Sequence, residues 1–267
     1  MGGNDGIRLE RKRMKFAYRT ASFRNRSLDE ALKVIAQSGY EGVEICLEYH
    51  ELRVLAVEKA FRSLRLNSSA AGLEISSLSD HSNLLDSEAF EQVRVGLEQA
   101  GETGAAVFIV ASAPKATGSW PVLTERLGEL LDIARANQMR LAIEPEPDLM
   151  VEGSAEFEKL KGDLGGGSFL AMNLDIGHAW CMREPLNEIV SRLHEDIAHF
   201  HIEDIAGRVH RHLMPGDGDI DVRSSLASIA RWCPGRFLCV DLFNIQDPAS
   251  AAEALRFLRQ RVSEITR

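Results

Sequence analysis

The sequence predicts an α/β protein of a single domain, a closed (β/α)8 TIM barrel, on two observations. Short β-rich apolar runs alternate with longer runs of helical period, and eight runs of each kind is the count of a closed parallel barrel. The length of 267 residues agrees, because one such barrel needs about 250 residues. An open doubly wound sheet would usually show a Gly-rich turn after its first strand, whereas the sequence FRNRSLDE follows here.

The order of the elements follows from these runs and from the residues that end them. Ser27 with Glu30 forms a capping box before the first helix, Gly39 predicts its left-handed end, and Asp247 with Pro248 opens the last helix. Strands are predicted over residues 15–22, 42–47, 72–78, 105–111, 140–144, 169–175, 197–202 and 237–241. Helices are predicted over residues 28–38, 51–65, 87–101, 121–137, 154–161, 185–194, 222–231 and 248–262.

Composition and charge exclude several classes of protein. An apolar fraction of 45% rules out a disordered chain, and no apolar run approaches the roughly 20 residues of a membrane span. We expect residues 1–13 to form a loose tail without a secretory signal, and residues 14–267 to form the barrel. The four cysteines form no CxxC pair, which indicates reduced thiols and a cytoplasmic protein. A net charge of −9 argues against a nucleic-acid partner.

Ionisable residues recur at the predicted strand ends, where barrel enzymes place their active sites. Buried carboxylates that converge with imidazoles on one mouth imply a divalent cation, since an unpaired buried charge is costly. Two of these residues also have simpler interpretations: Glu44 as a solvated strand end, and His81 as a structural residue. His199, outside this set, is interpreted as a surface or packing residue. The strand-end residues are Glu44, Asp80, His81, Glu144, Glu146, Asp175, His178, His201, Glu203, Asp204 and Asp241.

Three segments carry a resemblance to a known family. They are LAIEP at residues 141–145, NLDIGH at residues 173–178, and His201 followed by HRHLMPGDGDID at residues 210–221. With these segments the chain resembles the xylose-isomerase-like TIM barrel superfamily of sugar isomerases and epimerases. That superfamily also includes the zinc apurinic/apyrimidinic endonucleases. The resemblance runs from about Lys15 to the end of the chain.

The resemblance implies one divalent metal ion, with Mn, Co, Mg and Zn all open. Its ligands would be Glu144, Asp175, His201 and Asp241, one from each of the last four strands. The family usually has Glu on the eighth strand, so the Asp of this chain is shorter by one methylene. This departure leaves metal binding in place and puts a role of Asp241 as catalytic base in question.

The expected activity is isomerisation or epimerisation of a small sugar or related polyol ketone. A metal bound to a hydroxy-ketone stabilises the enediolate that forms when the adjacent carbon loses its proton, and Glu144 and Asp241 would pass that proton. The resemblance implies that His178 and Arg211 hold sugar oxygens. The remaining candidates are His81 and Glu44 as substrate contacts, and His210 and His212 as additional ligands of metal or substrate.

Two alternatives remain open at the level of sequence. The first is a zinc phosphodiesterase of the apurinic endonuclease type, in which Asp175-x-x-His178 and a segment like residues 210–212 carry further zinc ions. Against it, those nucleases draw two histidines from strands three and four, and this chain offers only His81. The second is a non-catalytic metal-binding barrel. The sequence leaves the particular substrate, its phosphorylation and the oligomeric state undetermined.

Overall fold

Eight parallel strands close into a barrel in chain order, so the predicted fold class is confirmed. The structure is a computed structural model that describes residues 13–49 and 58–265. Each strand pairs with the next along the chain, and β8 closes the barrel against β1. The strands are β1 (Lys15–Arg19), β2 (Gly42–Cys46), β3 (Glu74–Asp80), β4 (Val107–Val110), β5 (Arg140–Ile143), β6 (Leu170–Asp175), β7 (Ile197–Ile202) and β8 (Phe237–Val240).

Helices connect the strands and cover the outside of the barrel. In the described ranges they are α1 (Leu28–Gln37), α2 (Glu58–Ala70), α3 (Ser87–Ala100), α4 (Trp120–Ala136), α5 (Ser154–Asp163), α6 (Ile176–Cys181), α7 (Leu186–Leu193), α8 (Val222–Trp232) and α9 (Pro248–Ile265). The predicted tail, apart from Arg13, and the beginning of the helix predicted over 51–65 lie outside the described residues. No helix in those ranges is long and apolar enough to cross a membrane.

Local signals fix most of the element boundaries. The hydroxyl of Ser27 accepts a hydrogen bond from the backbone N–H of Glu30, whose carboxylate accepts one from the backbone of Ser27, so the predicted capping box is present. Gly39 has a φ of 90°, the left-handed conformation that ends α1. The short helix α6 is not predicted by the sequence pattern, and it forms because Asp175 caps it.

Side chains along each strand alternate between the inside and the outside of the barrel. Inward-facing residues at the carboxyl end of a strand therefore lie at the mouth of the barrel. Ala142 and Ala171 belong to a small apolar cluster in the barrel interior, separate from the larger core between strands and helices. Glu144 lies two residues after Ala142, and Asp175 lies four residues after Ala171, on the same inward face. The carboxyl ends of the strands therefore direct these carboxylates inward, at one end of the barrel.

Candidate active site and metal centre

The four residues predicted as metal ligands lie together at the C-terminal ends of their strands. His201 Nδ1 is 3.1 Å from Glu144 Oε1, 3.9 Å from Asp175 Oδ2 and 4.0 Å from Asp241 Oδ2. All four side chains are buried, with at most 2% of each residue exposed. Two ligand atoms that each lie about 2.1 Å from one ion are at most about 4.2 Å apart, so these spacings suit a single ion.

Unpartnered oxygens in this group favour a cation between them. Asp175 Oδ1 accepts hydrogen bonds from the backbone N–H groups of Gly177 and His178, at 2.6 and 3.0 Å. Asp175 Oδ2 and Asp241 Oδ1 are buried without a hydrogen-bond partner among the described residues. A buried carboxylate oxygen without a donor is costly, and a divalent cation would remove that cost. The residues therefore fit a metal of the oxygen-and-imidazole type.

Glu44 holds the ring of His201 from the other side. His201 Nε2 lies 2.8 Å from Glu44 Oε2, and Glu44 is fully buried. The interpretation of Glu44 as a solvated strand end is therefore wrong, because the barrel interior encloses its carboxylate. Burial disfavours the imidazolium, but Glu144 and Glu44 outweigh burial and hold the pKa of His201 well above its usual range.

A buried arginine that the sequence analysis did not identify joins these groups into a ring. Arg19 donates to Glu44 Oε1 at 3.0 Å, and its guanidinium lies 2.6 Å from His81 Nδ1. His81 Nε2 lies 2.8 Å from Glu144 Oε2, which closes a cycle through His201 back to Glu44. We call Arg19, Glu44, His201, Glu144 and His81 the polar ring. Its members come from β1, β2, β7 and the residues that directly follow β5 and β3.

The polar ring also accounts for the charge state of its neighbours. Arg19 donates to Asp241 Oδ2 at 2.6 Å. Burial would raise the pKa of Asp241, but the guanidinium outweighs it and lowers that pKa to about 2. Burial and Arg19 lower the pKa of His81, but hydrogen bonds to Glu144 and Glu48 outweigh them and raise it to about 9. At neutral pH the metal-free polar ring and Asp241 thus hold ionised carboxylates against charged histidine and arginine.

Three histidines and Glu203 form a second group beside the first, which we call the histidine cluster. His178 Nε2 lies 2.9 Å from His210 Nε2, and His212 Nδ1 lies 2.6 Å from Glu203 Oε2. Burial lowers the pKa of His212, but Asp241 and Glu203 outweigh burial and raise it to about 10. Donor atoms of Glu203, His210 and His212 all lie within 4.8 Å of one another, which is close enough for a shared ion.

The loop between β7 and α8 brings His210 and His212 to this cluster, with His210 Nε2 beside His178 Nε2. Asp204 accepts hydrogen bonds from the backbone N–H groups of Gly216 and Ile220, at 2.8 and 3.1 Å, and so ties the two ends of the loop together. A Cβ on Gly218 would lie 2.6 Å from the carbonyl oxygen of Ile205, so only glycine fits there. Arg211, between His210 and His212, is exposed. Its predicted contact with substrate stays a prediction.

Sequence reasoning missed two polar residues of the mouth, Arg19 and Asn173, and assigned no role to a third, Glu203. Arg19 was not recognised as a strand-end residue, because the first strand was predicted to end at residue 22, whereas β1 ends at Arg19. Glu203 follows β7 in the same alternation as His201 and was noted without a role. Asn173 precedes Asp175 by two residues, and that spacing could have identified it. It donates to Glu144 Oε2 at 2.9 Å, and its carbonyl oxygen lies 2.9 Å from His199 Nδ1, so His199 is an interior residue.

The fold and the strand-end carboxylates define a class of TIM barrel proteins, and comparison identifies the family. A model of the xylose isomerase-like TIM barrel family matches residues 32–261, and the chain belongs to that family. No curated protein matches the sequence.

Solved structures of the same fold are similar over nearly the whole chain, at low identity. One is the probable 3-DHS dehydratase AsbF of Bacillus anthracis, 17% identical, with a TM-score of 0.78 over 92% of this chain and 99% of that one. Another is the E. coli 3-keto-D-glucoside 4-epimerase YcjR, 18% identical, with a TM-score of 0.73 over 93% and 100%. The IolI protein with a bound zinc atom is 17% identical, with a TM-score of 0.74 over 94% and 98%. Identities this low establish the fold alone.

Proposed function

We propose that the protein is a metal-dependent isomerase or epimerase of small sugars or related polyol ketones. The observation that carries the proposal is the convergence of Glu144, Asp175, His201 and Asp241, with two buried oxygens left unpartnered. A structural neighbour is an epimerase and another binds zinc, which supports this chemistry without fixing it. The ion could be Mn, Co, Mg or Zn, since oxygens with one imidazole suit all four.

The proposed reaction is a proton transfer at a carbon next to a carbonyl. When bound, a divalent ion would polarise the substrate carbonyl and lower the cost of removing that proton. Glu144 follows β5 and Asp241 follows β8, three strands further around the barrel, so the two carboxylates reach the mouth from different sides. Glu144 is the group we assign to remove the proton. Asp241 is bound to Arg19 and is the second carboxylate of the pair. Burial would raise the pKa of both carboxyls, but Arg19 lowers that of Asp241 to about 2, and His201 and His81 hold that of Glu144 well below its usual range.

The remaining polar residues would orient the substrate or the ligands. We assign His178 and His212 to hold substrate oxygens, because His178 lies 3.5 Å from Glu144 and His212 lies 3.7 Å from Asp241. Exposed Arg211 would contact the substrate from the same loop as His212. Both oxygens of Glu44 are already engaged by Arg19 and His201. We therefore assign Glu44 to hold the His201 ring in place of the predicted substrate contact.

The test combines metal content with proton exchange. The wild type should bind one equivalent of metal and exchange solvent deuterium into at least one member of a panel of ketopentoses, ketohexoses and inososes. Glu144→Gln and His201→Ala should lose both properties, while His194→Ala, at the C-terminal end of α7, should keep both. Asp241→Glu should retain metal. Full metal in both Glu144→Gln and His201→Ala would show that these residues are not ligands.

The histidine cluster favours one alternative, a zinc phosphodiesterase. His178, His210 and His212 with Glu203 could hold a second ion, as the multi-zinc chemistry of that alternative requires. The end of β4, in contrast, continues as Ala111-Ser112 and offers no ligand there. Metal-dependent cleavage of an abasic-site oligonucleotide, without deuterium exchange on any ketone of the panel, would favour the phosphodiesterase. Absence of both activities in the metal-loaded protein would indicate a non-catalytic metal-binding barrel.

A further inference from the structure

A cavity lies at the opposite end of the barrel from the candidate active site. It has a volume of about 490 Å³ and is lined by residues at the N-terminal ends of five strands. Among them are Ser76 of β3, Val107 of β4, Arg140 of β5, His199 of β7 and Arg236, which directly precedes β8. We call it the N-terminal cavity. Its size is that of a small-metabolite site.

Part of the wall of the N-terminal cavity is apolar. Ala106, Val107 and Ala198 are among its lining residues, and Val107 and Ala198 belong to the small apolar cluster of the barrel interior. The ring of Phe237 also lines the cavity and packs on the backbone of Gly42 so closely that a Cβ there would lie 2.6 Å from it.

Positive charge dominates the rim of the N-terminal cavity. Arg140 donates to the carbonyl oxygens of Ser168 and Asp196 at 2.9 and 3.0 Å, and Arg236 donates to that of Ile197 at 3.0 Å. Backbone carbonyls hold these guanidiniums in position without neutralising them. In the part of the chain that the structure describes, neither arginine forms an ion pair. Burial and the neighbouring charge of Arg236 lower the pKa of Arg140, and the nearby Asp196 offsets them only in part.

The acidic groups near this rim already have cationic partners. Glu74, which lines the cavity, pairs with Lys15 at 2.6 Å, and Asp196, near Arg140, pairs with Lys161 at 2.5 Å. A third guanidinium, that of exposed Arg65, also lines the cavity and is in no ion pair among residues 13–49 and 58–265. Such a concentration of positive charge is notable in a protein with a net charge of −9.

The floor of the cavity offers groups for the uncharged part of a ligand. Ser76 is 6% exposed, and its hydroxyl donates to the carbonyl oxygen of Val43 at 3.1 Å. The hydroxyl oxygen lies 3.4 Å from His199 Nε2, a long contact, so it could accept a hydrogen bond from a ligand hydroxyl. We propose that the N-terminal cavity binds a small organic anion, with its phosphate or carboxylate group on Arg140 and Arg236 and its polar remainder toward Ser76. Guanidinium groups suit such anions because their planar N–H donors match two oxygens at once.

The test measures anion binding directly and does not depend on catalysis. Inorganic phosphate and citrate are titrated into metal-free protein, and binding is followed by calorimetry and by NMR of the histidine rings. We expect millimolar or tighter binding of at least one of the two anions, with the largest shifts at His199. Arg236→Gln should weaken binding by about 10- to 100-fold, because it removes charge-assisted hydrogen bonds. The matched control is Arg231→Gln, an exposed arginine of α8 that stacks on Trp232 and should have no effect.

Several outcomes would overturn the proposal. The first is that neither anion binds at about 20 mM or below, which we take as the limit for a specific site. The second is an equal loss of anion affinity in Arg231→Gln and Arg236→Gln. The third is that the NMR shifts are concentrated at His81 and His201. The last result would mean that the anion enters the candidate active site. If circular dichroism shows that Arg236→Gln is unfolded, Arg140→Gln and Arg236→Lys provide the same comparison. None of these results depends on deuterium exchange into ketones. The anion site and the proposed function are therefore tested independently.

Discussion

Replacing Glu44 by Gln tests how the protein prepares His201 for metal. Glu44 accepts hydrogen bonds from Arg19 Nε and from Ser77 Oγ, and it faces His201 Nε2 at 2.8 Å. A carboxamide of the same shape offers one oxygen and one NH2 group. Because Arg19 is always charged, the oxygen of Gln will face Arg19 and the NH2 group will face His201. The ring must then carry its proton on Nδ1, the nitrogen directed at Glu144, Asp175 and Asp241.

The expected loss of metal affinity follows from this change of tautomer. Removing the partner that orients a metal-binding histidine typically costs 10- to 100-fold in affinity. That corresponds to about 1.4–2.8 kcal/mol. The measurement is competition between the metal-free protein and a chromophoric chelator for Zn²⁺ and Co²⁺ near neutral pH. Thermal unfolding of the metal-free variant, followed by circular dichroism, shows whether the fold is retained.

The control for this experiment is Glu125→Gln, which removes an equal charge from an exposed position of α4 and should leave metal affinity unchanged. Glu44→Asp keeps the charge and an acceptor for His201, so its loss should be smaller than that of Glu44→Gln. The reasoning is refuted if Glu44→Gln is folded and binds both metals within about twofold of the wild type, since an affinity change below about 0.4 kcal/mol leaves no room for the tautomer effect.

Three further predictions follow from separate parts of the structure. The pKa of His81 is raised from an ordinary 6.5 to about 9, so the charged ring stabilises the folded metal-free protein. This contribution to the free energy of unfolding is complete below about pH 6.5 and is lost as pH rises through 9. His81→Gln should flatten that part of the curve, by about 3 kcal/mol or less in urea unfolding. Gly218→Ala places a methyl group against Asp204 and Ile205, and should cost about 1–3 kcal/mol and speed hydrogen exchange in the β7–α8 loop. Ser27→Ala removes the cap of α1 and should cost about 1 kcal/mol, while no change in the melting temperature would contradict the capping role.

The fold could be predicted from the sequence because its signals are local. Capping residues, glycines at helix ends and apolar periodicity each act within a few neighbours, as Ser27 and Gly39 illustrate. The positions of Glu144, Asp175, His201 and Asp241 could be predicted for a related reason. In a parallel barrel, the end of a strand is by topology also a position at the mouth.

The contacts among those residues could not be predicted, because they depend on register and on long-range pairing. The register of β2 against β3 shifts between Val43 and Glu44, and no local signal marks that irregularity. Arg19 contacts Asp241 across a separation of 222 residues. The shorter acid on the eighth strand appears in the sequence only as a departure from the family. In the structure it is the partner of a buried arginine.

The contact between Arg19 and Asp241 also has a consequence for the order in which the chain folds. It lies where β8 pairs with β1, the pairing that joins the first and last strands of the barrel. Closing so long a loop has an entropic cost that the final hydrogen bonds must offset, and such distant pairings form slowly. The polar ring takes members from both sides of that pairing, so a half-barrel intermediate has an incomplete centre. Metal uptake during refolding would therefore report barrel closure, after most of the helical signal has returned.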